Sequence, residues 1–488
     1  MSPQHSLVSN SNSQATCHLR HFNHTSFARS RTLLGRKYNA RKSNDGAPHF
    51  SVLHVSGRSR RRPLCYAKAT QQTAEQEQQV AGDMETSALR SPWSSRSVFY
   101  DWREGYQCHY TRLDRESEGS GKVTGAPVVL LPGFGVASFQ YEALMQELAS
   151  LGGEQRVYAI DWFGQGKSWP TRDPAPSENA TTEAGFEWGF GQKASPGYEN
   201  LRYSCDNWTA QLEHFLETQL HDGENGDNGP PKKAVLVGNS LGGLIAANLA
   251  ATRPELVEGL VFLNATPFWG ANRPNSPVWQ GDLPVPPAFK WIAAQWWNSI
   301  RTTETITTML DFVYANKDYD KSIIPKIQEP TRAPGSAAAF CSILFSPPTA
   351  MKFDAMLIRI RHAKVPVMLC YGREDPWVVP AWGQKAKRDI GDMCVYYEVS
   401  PSGHCPHHET PRPVAYAVQE FCSALTALQQ EGVELSDSMP TGDTHFGDIV
   451  LTHRPKGSPR NVFEVFAYGV YCVEKYVFKK REWENVAP

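Results

Sequence analysis

The stretch Val235-Leu236-Val237-Gly238-Asn239-Ser240-Leu241-Gly242-Gly243 decides how this chain is read. Three apolar β-formers run into Gly-Asn-Ser-Leu-Gly, and a small-residue helix is expected over Ile245 to Ala251. A strand, a sharp turn and a helix are the context in which Gly-x-Ser-x-Gly carries chemical meaning. The turn is tight enough that a side chain at position 238 or 242 would meet the neighbouring element. The serine between them is held in a strained backbone conformation with its hydroxyl turned outward. Alone, so short a motif is weak, and it gains weight only if an acid and a histidine follow in order.

Both follow. Val365 to Gly372 reads as a buried parallel strand that ends in Arg373-Glu374-Asp375-Pro376-Trp377. Cys394 to Val399 reads as the next strand and runs into Ser400-Pro401-Ser402-Gly403-His404. The order Ser240, Asp375, His404 is that of the α/β-hydrolase fold and not of the two other common serine-triad folds. Glu374 competes with Asp375, but adjacent residues point different ways. Asp375 is preferred because Pro376 fixes the turn after it. His407 and His408 compete with His404 and read as loop histidines packing the helix that begins near Pro411. An oxyanion hole is expected from the backbone N–H groups of Phe134 and Leu241. Phe134 lies in Pro132-Gly133-Phe134-Gly135 after the strand Val128 to Leu131, and Leu241 follows the nucleophile. Losing one such donor costs roughly 3 kcal/mol of transition-state stabilisation.

The chain has 488 residues, 40% of them hydrophobic, and a formal net charge of −1. That is enough for one large core with extensions, and it gives no case for a nucleic-acid partner. No apolar run is long enough to span a bilayer. Ten cysteines are scattered without C-x-x-C pairs, which suits reduced, buried thiols. No metal or other cofactor is expected. Only Cys405, His407 and His408 crowd together, and weakly as ligands. Residues 1–68 are rich in Ser, Arg and Lys, with Asp45 the only acid before Glu75, as in an organelle transit peptide that leans toward the plastid. Residues 69–95 read as a polar linker. The sequons at Asn179, Asn207 and Asn264 are expected to be silent.

The expected fold is an α/β-hydrolase domain over 96–430: a mostly parallel central sheet with a helical cap inserted before the acid-bearing strand. An antiparallel pair (Val98 to Trp102, Gln107 to Arg112) precedes βαβ alternation over Val128 to Leu131, Phe139 to Ala149 and Val157 to Asp161. The cap is placed at about 266–356. Its aromatics, among them Phe268, Trp269, Trp279, Trp291, Trp296, Trp297, Phe312 and Tyr314, build its own small core or line an apolar cleft. Trp162, Phe268, Trp269 and Trp377 are the candidate substrate contacts. Residues 431–488 are a C-terminal extension, in which Val462 to Trp483 reads either as a docked element or as an interfacial segment.

The chain resembles the plastid pheophytinase family. The matching stretches are Leu131 to Val136 with Ser138-Phe139, Ala159-Ile160-Asp161 with Gly164-Gln165-Gly166, and Trp188 to Gly191. They continue with Gly238 to Gly243, Leu263 to Gly270, Tyr371 to Trp377, and Tyr396-Tyr397-Glu398 with Gly403 to His407. The blocks Leu263 to Gly270 and Gly403 to His407 are the most specific. The resemblance covers roughly Val98 to Leu425. It implies hydrolysis of the phytyl ester of pheophytin to pheophorbide and phytol in the chloroplast, in the stroma or at the thylakoid. It also implies contact with the plastid membrane and with other chlorophyll-breakdown proteins. A chlorophyll dephytylase, a general lipase or carboxylesterase, and a non-catalytic ligand receptor share the same triad.

Overall fold

The computed structural model describes residues 93–103, 106–115, 125–152, 155–169, 203–220, 233–267, 287–333, 336–344 and 349–454. The transit peptide expected over 1–68, nearly all of the linker, Phe268, Trp269 and the segment from Val462 to Trp483 lie outside these residues.

The short apolar runs become strands because both of their faces are covered. The strands β3 (Val128–Leu131), β4 (Val157–Ile160) and β5 (Ala234–Asn239) are buried at every position. So is β7 (Val367–Gly372), and β6 (Val257–Leu263) and β8 (Cys394–Ser400) are nearly so. Continuous apolar strands of this kind are what a parallel sheet sandwiched by helices requires. These six pair in parallel in the order β4-β3-β5-β6-β7-β8. At one edge the hairpin β1 (Trp93–Arg103) and β2 (Tyr106–Arg115) adds antiparallel to β4. Among the described residues the sheet has ten strands.

Helices cover both faces. On one face pack α2 (Cys205–Gln219), α3 (Leu241–Thr252), α8 (Phe353–His362) and α9 (Pro380–Ile390). On the other pack α1 (Glu142–Ser150), entered through a 3₁₀ turn at Ser138–Tyr141, and α11 (Pro411–Glu431). Between β6 and β7 the chain leaves the sheet to form α4 (Pro287–Ile300), α5 (Thr303–Val313), α6 (Ile323–Gln328) and α7 (Ser336–Leu344). These helices are the cap.

Two boundaries are corrected. The cap does not reach position 356. Met356, Leu357 and Ile360 of α8 are fully buried in the main core, so α8 belongs to the sheet's own helix layer. Burying such side chains is worth about 1.5–3 kcal/mol each. The extension expected from 431 is not wholly an appendage either. After α12 (Leu435–Ser438), β9 (Asp443–Phe446) and β10 (Ile449–His453) extend the same sheet, with β10 antiparallel to β8 and Leu451 buried against it. An expected end at 430 took the long amphipathic α11 as the last core element, because two strands of four and five residues leave little periodic signal.

The chain passes from β3 to β4 on one side and then to β5 on the other side of β3. Such a reversal opens a crevice at the carboxyl ends of the strands, where ligands bind in open α/β sheets. Position 132, Ser240, Asp375 and His404 all follow carboxyl ends of strands at this edge.

Candidate active site

Ser240 sits between β5 and α3 with φ 51° and ψ −115°, a region that side chains rarely occupy. Such strain costs about 1–3 kcal/mol and persists only where the surroundings over-determine it. Here they do. Ser240 N–H donates to Leu263 O at 3.1 Å, and Ser240 O accepts from Gly243 and Thr266. A Cβ at position 242 would lie 2.1 Å from Leu131 O, so only glycine lets α3 press against the end of β3. The side chain of Ser240 is only partly buried.

Asp375 and His404 meet. His404 Nδ1 donates to Asp375 Oδ2 at 2.7 Å, and both side chains are buried. Asp375 Oδ2 also accepts from Asn264 Nδ2 at 2.8 Å. Oδ1 accepts from the N–H groups of Trp377 at 2.7 Å and Val378 at 3.0 Å. Four donors on one carboxylate fix its orientation. The loops after β7 and β8 are knitted together by Arg373 N–H to Val399 O and Glu374 N–H to Ser402 O, each 2.9 Å. Glu374 faces away from the imidazole: its carboxylate accepts from Ser400 Oγ and Ser402 N–H. Asp375, and not Glu374, is the carboxylate that meets the imidazole.

Neither His407 nor His408 competes for this place. His407 is fully buried and stacks on Tyr141 with ring centroids 4.4 Å apart, and burial holds its imidazole well below its usual range. His408 lies beside Tyr314, with its Nδ1 3.2 Å from the phenol oxygen. Cys405 Sγ accepts from Gln140 Nε2, and burial pushes its thiol well up. No group of three or more metal-ligating side chains comes together among the described residues.

On the oxyanion side, Leu241 is the first residue of α3, so its N–H is one of those a helix leaves without an intrahelical acceptor. Phe134 is partly buried on the loop after β3, and its ring packs 5.2 Å from that of Phe340 on α7. The next N–H, of Gly135, donates to Gln165 Oε1 at 2.6 Å. The loop that carries Gln165 is in turn held by Asp161. That carboxylate accepts from His109 Nδ1, Ser138 N–H and Lys167 N–H at 2.7 to 2.8 Å. Phe134, Gly135, Gln165, Trp169, Trp297 and Phe340 line a small cleft of about 50 Å³ between this loop and the cap.

The aromatic contacts divide. Trp377 is 52% exposed and meets the His404 ring edge-on at 5.3 Å, at the rim of the site. Trp162 is corrected: it is wholly buried in the core, and its Nε1–H donates to Pro132 O at 2.7 Å. It supports the loop after β3 from beneath and offers no surface to a ligand. A tryptophan right after a strand reads equally well as core or rim in sequence, and its hydrogen bond is long-range.

Sequence reasoning missed Asn264, Asn239 and Glu409. Asn264 has φ 47°, is fully buried, accepts from Gly372 N–H and donates to Asp375. Asn239 Nδ2 donates to Leu263 O and to His404 O, each at 2.9 Å. Glu409 accepts from backbone N–H groups of the His404 loop and of the cap. The signal for Asn264 was its place at the end of β6, where its short amide suits a left-handed turn.

The family model described as the alpha/beta hydrolase family matches residues 128–418. Chloroplastic pheophytinase of Arabidopsis thaliana is 39% identical over 347 residues, covering 69% of this chain and 68% of that protein. Among solved structures, a bacterial membrane phospholipase A is 19% identical with a TM-score of 0.44, covering 74% of this chain and 95% of that one. A thermophilic esterase from Thermogutta terrifontis is 19% identical with a TM-score of 0.43, covering 68% of this chain and 99% of that one. The chain belongs to the alpha/beta hydrolase family and is a pheophytinase-like carboxylic ester hydrolase.

Proposed function

We propose that this protein hydrolyses the phytyl ester of pheophytin, or of a closely related tetrapyrrole, in the plastid. The observation that carries the substrate is the 39% identity to Arabidopsis pheophytinase across two thirds of both chains. The reaction type is supported by the buried His404–Asp375 pair beside the strained Ser240 turn. His404 takes the proton of Ser240 as the hydroxyl attacks the ester carbonyl, and Asp375 orients the imidazole and stabilises its charged form. The N–H groups of Phe134 and Leu241 receive the oxyanion. His404 then protonates the departing phytol, and water releases pheophorbide from the acyl-enzyme.

The long alcohol adds little net affinity. A CH₂ leaving water is worth about 0.8 kcal/mol, but a phytyl chain drawn from a membrane has already left water. Selection therefore rests on the ring system and on the geometry of its ester. The cleft lined by Phe134, Trp169, Trp297 and Phe340 offers aromatic contact to a conjugated ring, and plastid membrane is where such a pigment is met. The test is a rate panel on the purified full chain with pheophytin, chlorophyll and a p-nitrophenyl ester. Pheophytin is expected to be preferred and to yield pheophorbide. Equal kcat/KM on all three, or turnover of the p-nitrophenyl ester alone, would remove the substrate assignment.

A further inference from the structure

Glu409 closes α10 (Pro406–Glu409), the short helix just after His404, yet its carboxylate turns inward. Oε2 accepts from Ala315 N–H at 2.7 Å, at the point where cap helix α5 ends. Oε1 accepts from Gly403 N–H at 2.9 Å and from Cys405 N–H at 3.4 Å, on either side of His404. A second link runs alongside, from His404 N–H to Val313 O at 2.9 Å. The cap and the histidine loop thus touch through backbone groups, with one side chain spanning both.

We propose that Glu409 is a positioning residue of the active site. Its ionised carboxylate ties the end of α5 to the loop that carries His404, and loss of that charge loosens both. The inference rests on His404 acting as the base of the triad.

The geometry explains why the charge matters. Each oxygen faces backbone N–H donors, and an ionised carboxylate can accept at both. A protonated carboxyl must place its O–H on one oxygen, where it points at a donor. A proton on Oε2 weakens the link to Ala315, and one on Oε1 weakens those to Gly403 and Cys405, because a hydroxyl oxygen is a poorer acceptor than a carboxylate oxygen. Backbone donors of this kind normally hold a carboxylate low, but burial outweighs them here and pushes Glu409 up to about 7. The switch would then act in the range where an esterase works. Two of the titratable groups around it stay neutral across this range. The Tyr314 phenol and the Cys405 thiol are both pushed well up by burial, so they stay neutral. Glu409 and Asp375 are the two carboxylates that act on the Cys405 thiol. His408, on the same short helix, is lowered by burial, and its charged neighbours are Asp320, Lys326 and Glu142.

The experiment compares full-length wild type with Glu409→Gln, reading kcat and KM on p-nitrophenyl butyrate from about pH 5.5 to 8.5. A Ser–His mechanism alone loses rate on the acid side through one proton. The glutamine is a permanent copy of the neutral side chain. The ratio of wild-type kcat to that of Glu409→Gln is therefore expected to be about tenfold at pH 8.5 and to approach one at pH 5.5, with KM little changed. A ratio that is constant across pH, whether one or ten, overturns the proposal, since a merely structural role predicts no convergence. Should Glu409→Gln not fold, Ala315→Pro removes the cap's N–H, its ring carbon taking that place, and leaves the carboxylate in the chain. It is expected to lower kcat at pH 8.5 several-fold with the same convergence, and wild-type kcat at every pH overturns the proposal. His404→Ala is run beside them. Retained esterase rate there overturns the triad reading, whereas a constant ratio with an inactive His404→Ala overturns the role of Glu409 alone.

Discussion

Replacing Asp375 by asparagine separates orientation of the histidine from every other contribution. The carboxylate receives four donors: His404 Nδ1 and Asn264 Nδ2 on Oδ2, and the Trp377 and Val378 N–H groups on Oδ1. An asparagine must turn its NH₂ toward one pair. The backbone pair cannot move, whereas the imidazole can change tautomer. The amide nitrogen therefore takes the Oδ2 place and donates to Nδ1, which leaves the histidine proton on Nε2. An imidazole in that form cannot accept the serine proton. Such a tautomer trap lowers kcat about 10⁴-fold, equivalent to roughly 5 kcal/mol of transition-state stabilisation. The fold should survive, because both backbone bonds to the side-chain oxygen remain. The assay is kcat on p-nitrophenyl butyrate for Asp375→Asn, with Glu374→Gln as control and circular dichroism on both proteins. Glu374 braces Ser400 and Ser402 and does not touch the imidazole, so its variant should keep kcat within about tenfold. An Asp375→Asn protein that keeps a tenth of wild-type kcat, or a Glu374→Gln protein that loses 10⁴-fold, would refute the reasoning.

Other outcomes follow from single contacts. Gly242→Ala places a Cβ 2.1 Å from the backbone oxygen of Leu131, which cannot yield, and should give insoluble protein or a much lower melting temperature; a wild-type melt would contradict the close approach. Trp377→Ala should leave the melting temperature within a few degrees, because the ring is mostly exposed, while raising KM for pheophytin more than for p-nitrophenyl butyrate; an equal effect on both would remove Trp377 from the ligand's path. Glu409 also gives a stability signature against pH. Its folded-state pKa lies above the unfolded one, so the folded state holds the proton longer, and stability falls as pH rises from about 4.5 to about 7. The loss is at most about 3 kcal/mol. Denaturant titrations at pH 5 and 7.5 should show wild type losing stability relative to Glu409→Gln over that interval, and an opposite sign would contradict the raised value.

The site was legible where its geometry is local. The turn at Ser240 needs glycine on both sides whatever lies beyond, so five residues announce it. Asp375 and His404 follow largely apolar, buried strands, so strand ends and chain order bring them forward as candidates. What stayed hidden depends on partners far along the chain. Trp162 has the same sequence surroundings whether it lines a cleft or, as here, is sealed beneath Pro132. Asn264 reads as a sequon until its amide is seen on Asp375, 111 residues away. Glu409 reads as an ordinary helix end until Ala315, contributed by the cap, supplies a donor. The cap's true end was missed because α8 is amphipathic either way, and only packing against α3 assigns it to the sheet layer. The antiparallel edge formed by β9 and β10 was missed because strands so short are specified by the edge they join.

The central claim is that Ser240 attacks the ester of a phytylated tetrapyrrole. Its most direct test is pheophorbide release from pheophytin by the full chain and by Ser240→Ala at equal enzyme concentration, followed by chromatography. Pheophorbide is expected to accumulate with wild type and to fall at least about 10³-fold with Ser240→Ala. Release at the wild-type rate by Ser240→Ala would contradict it.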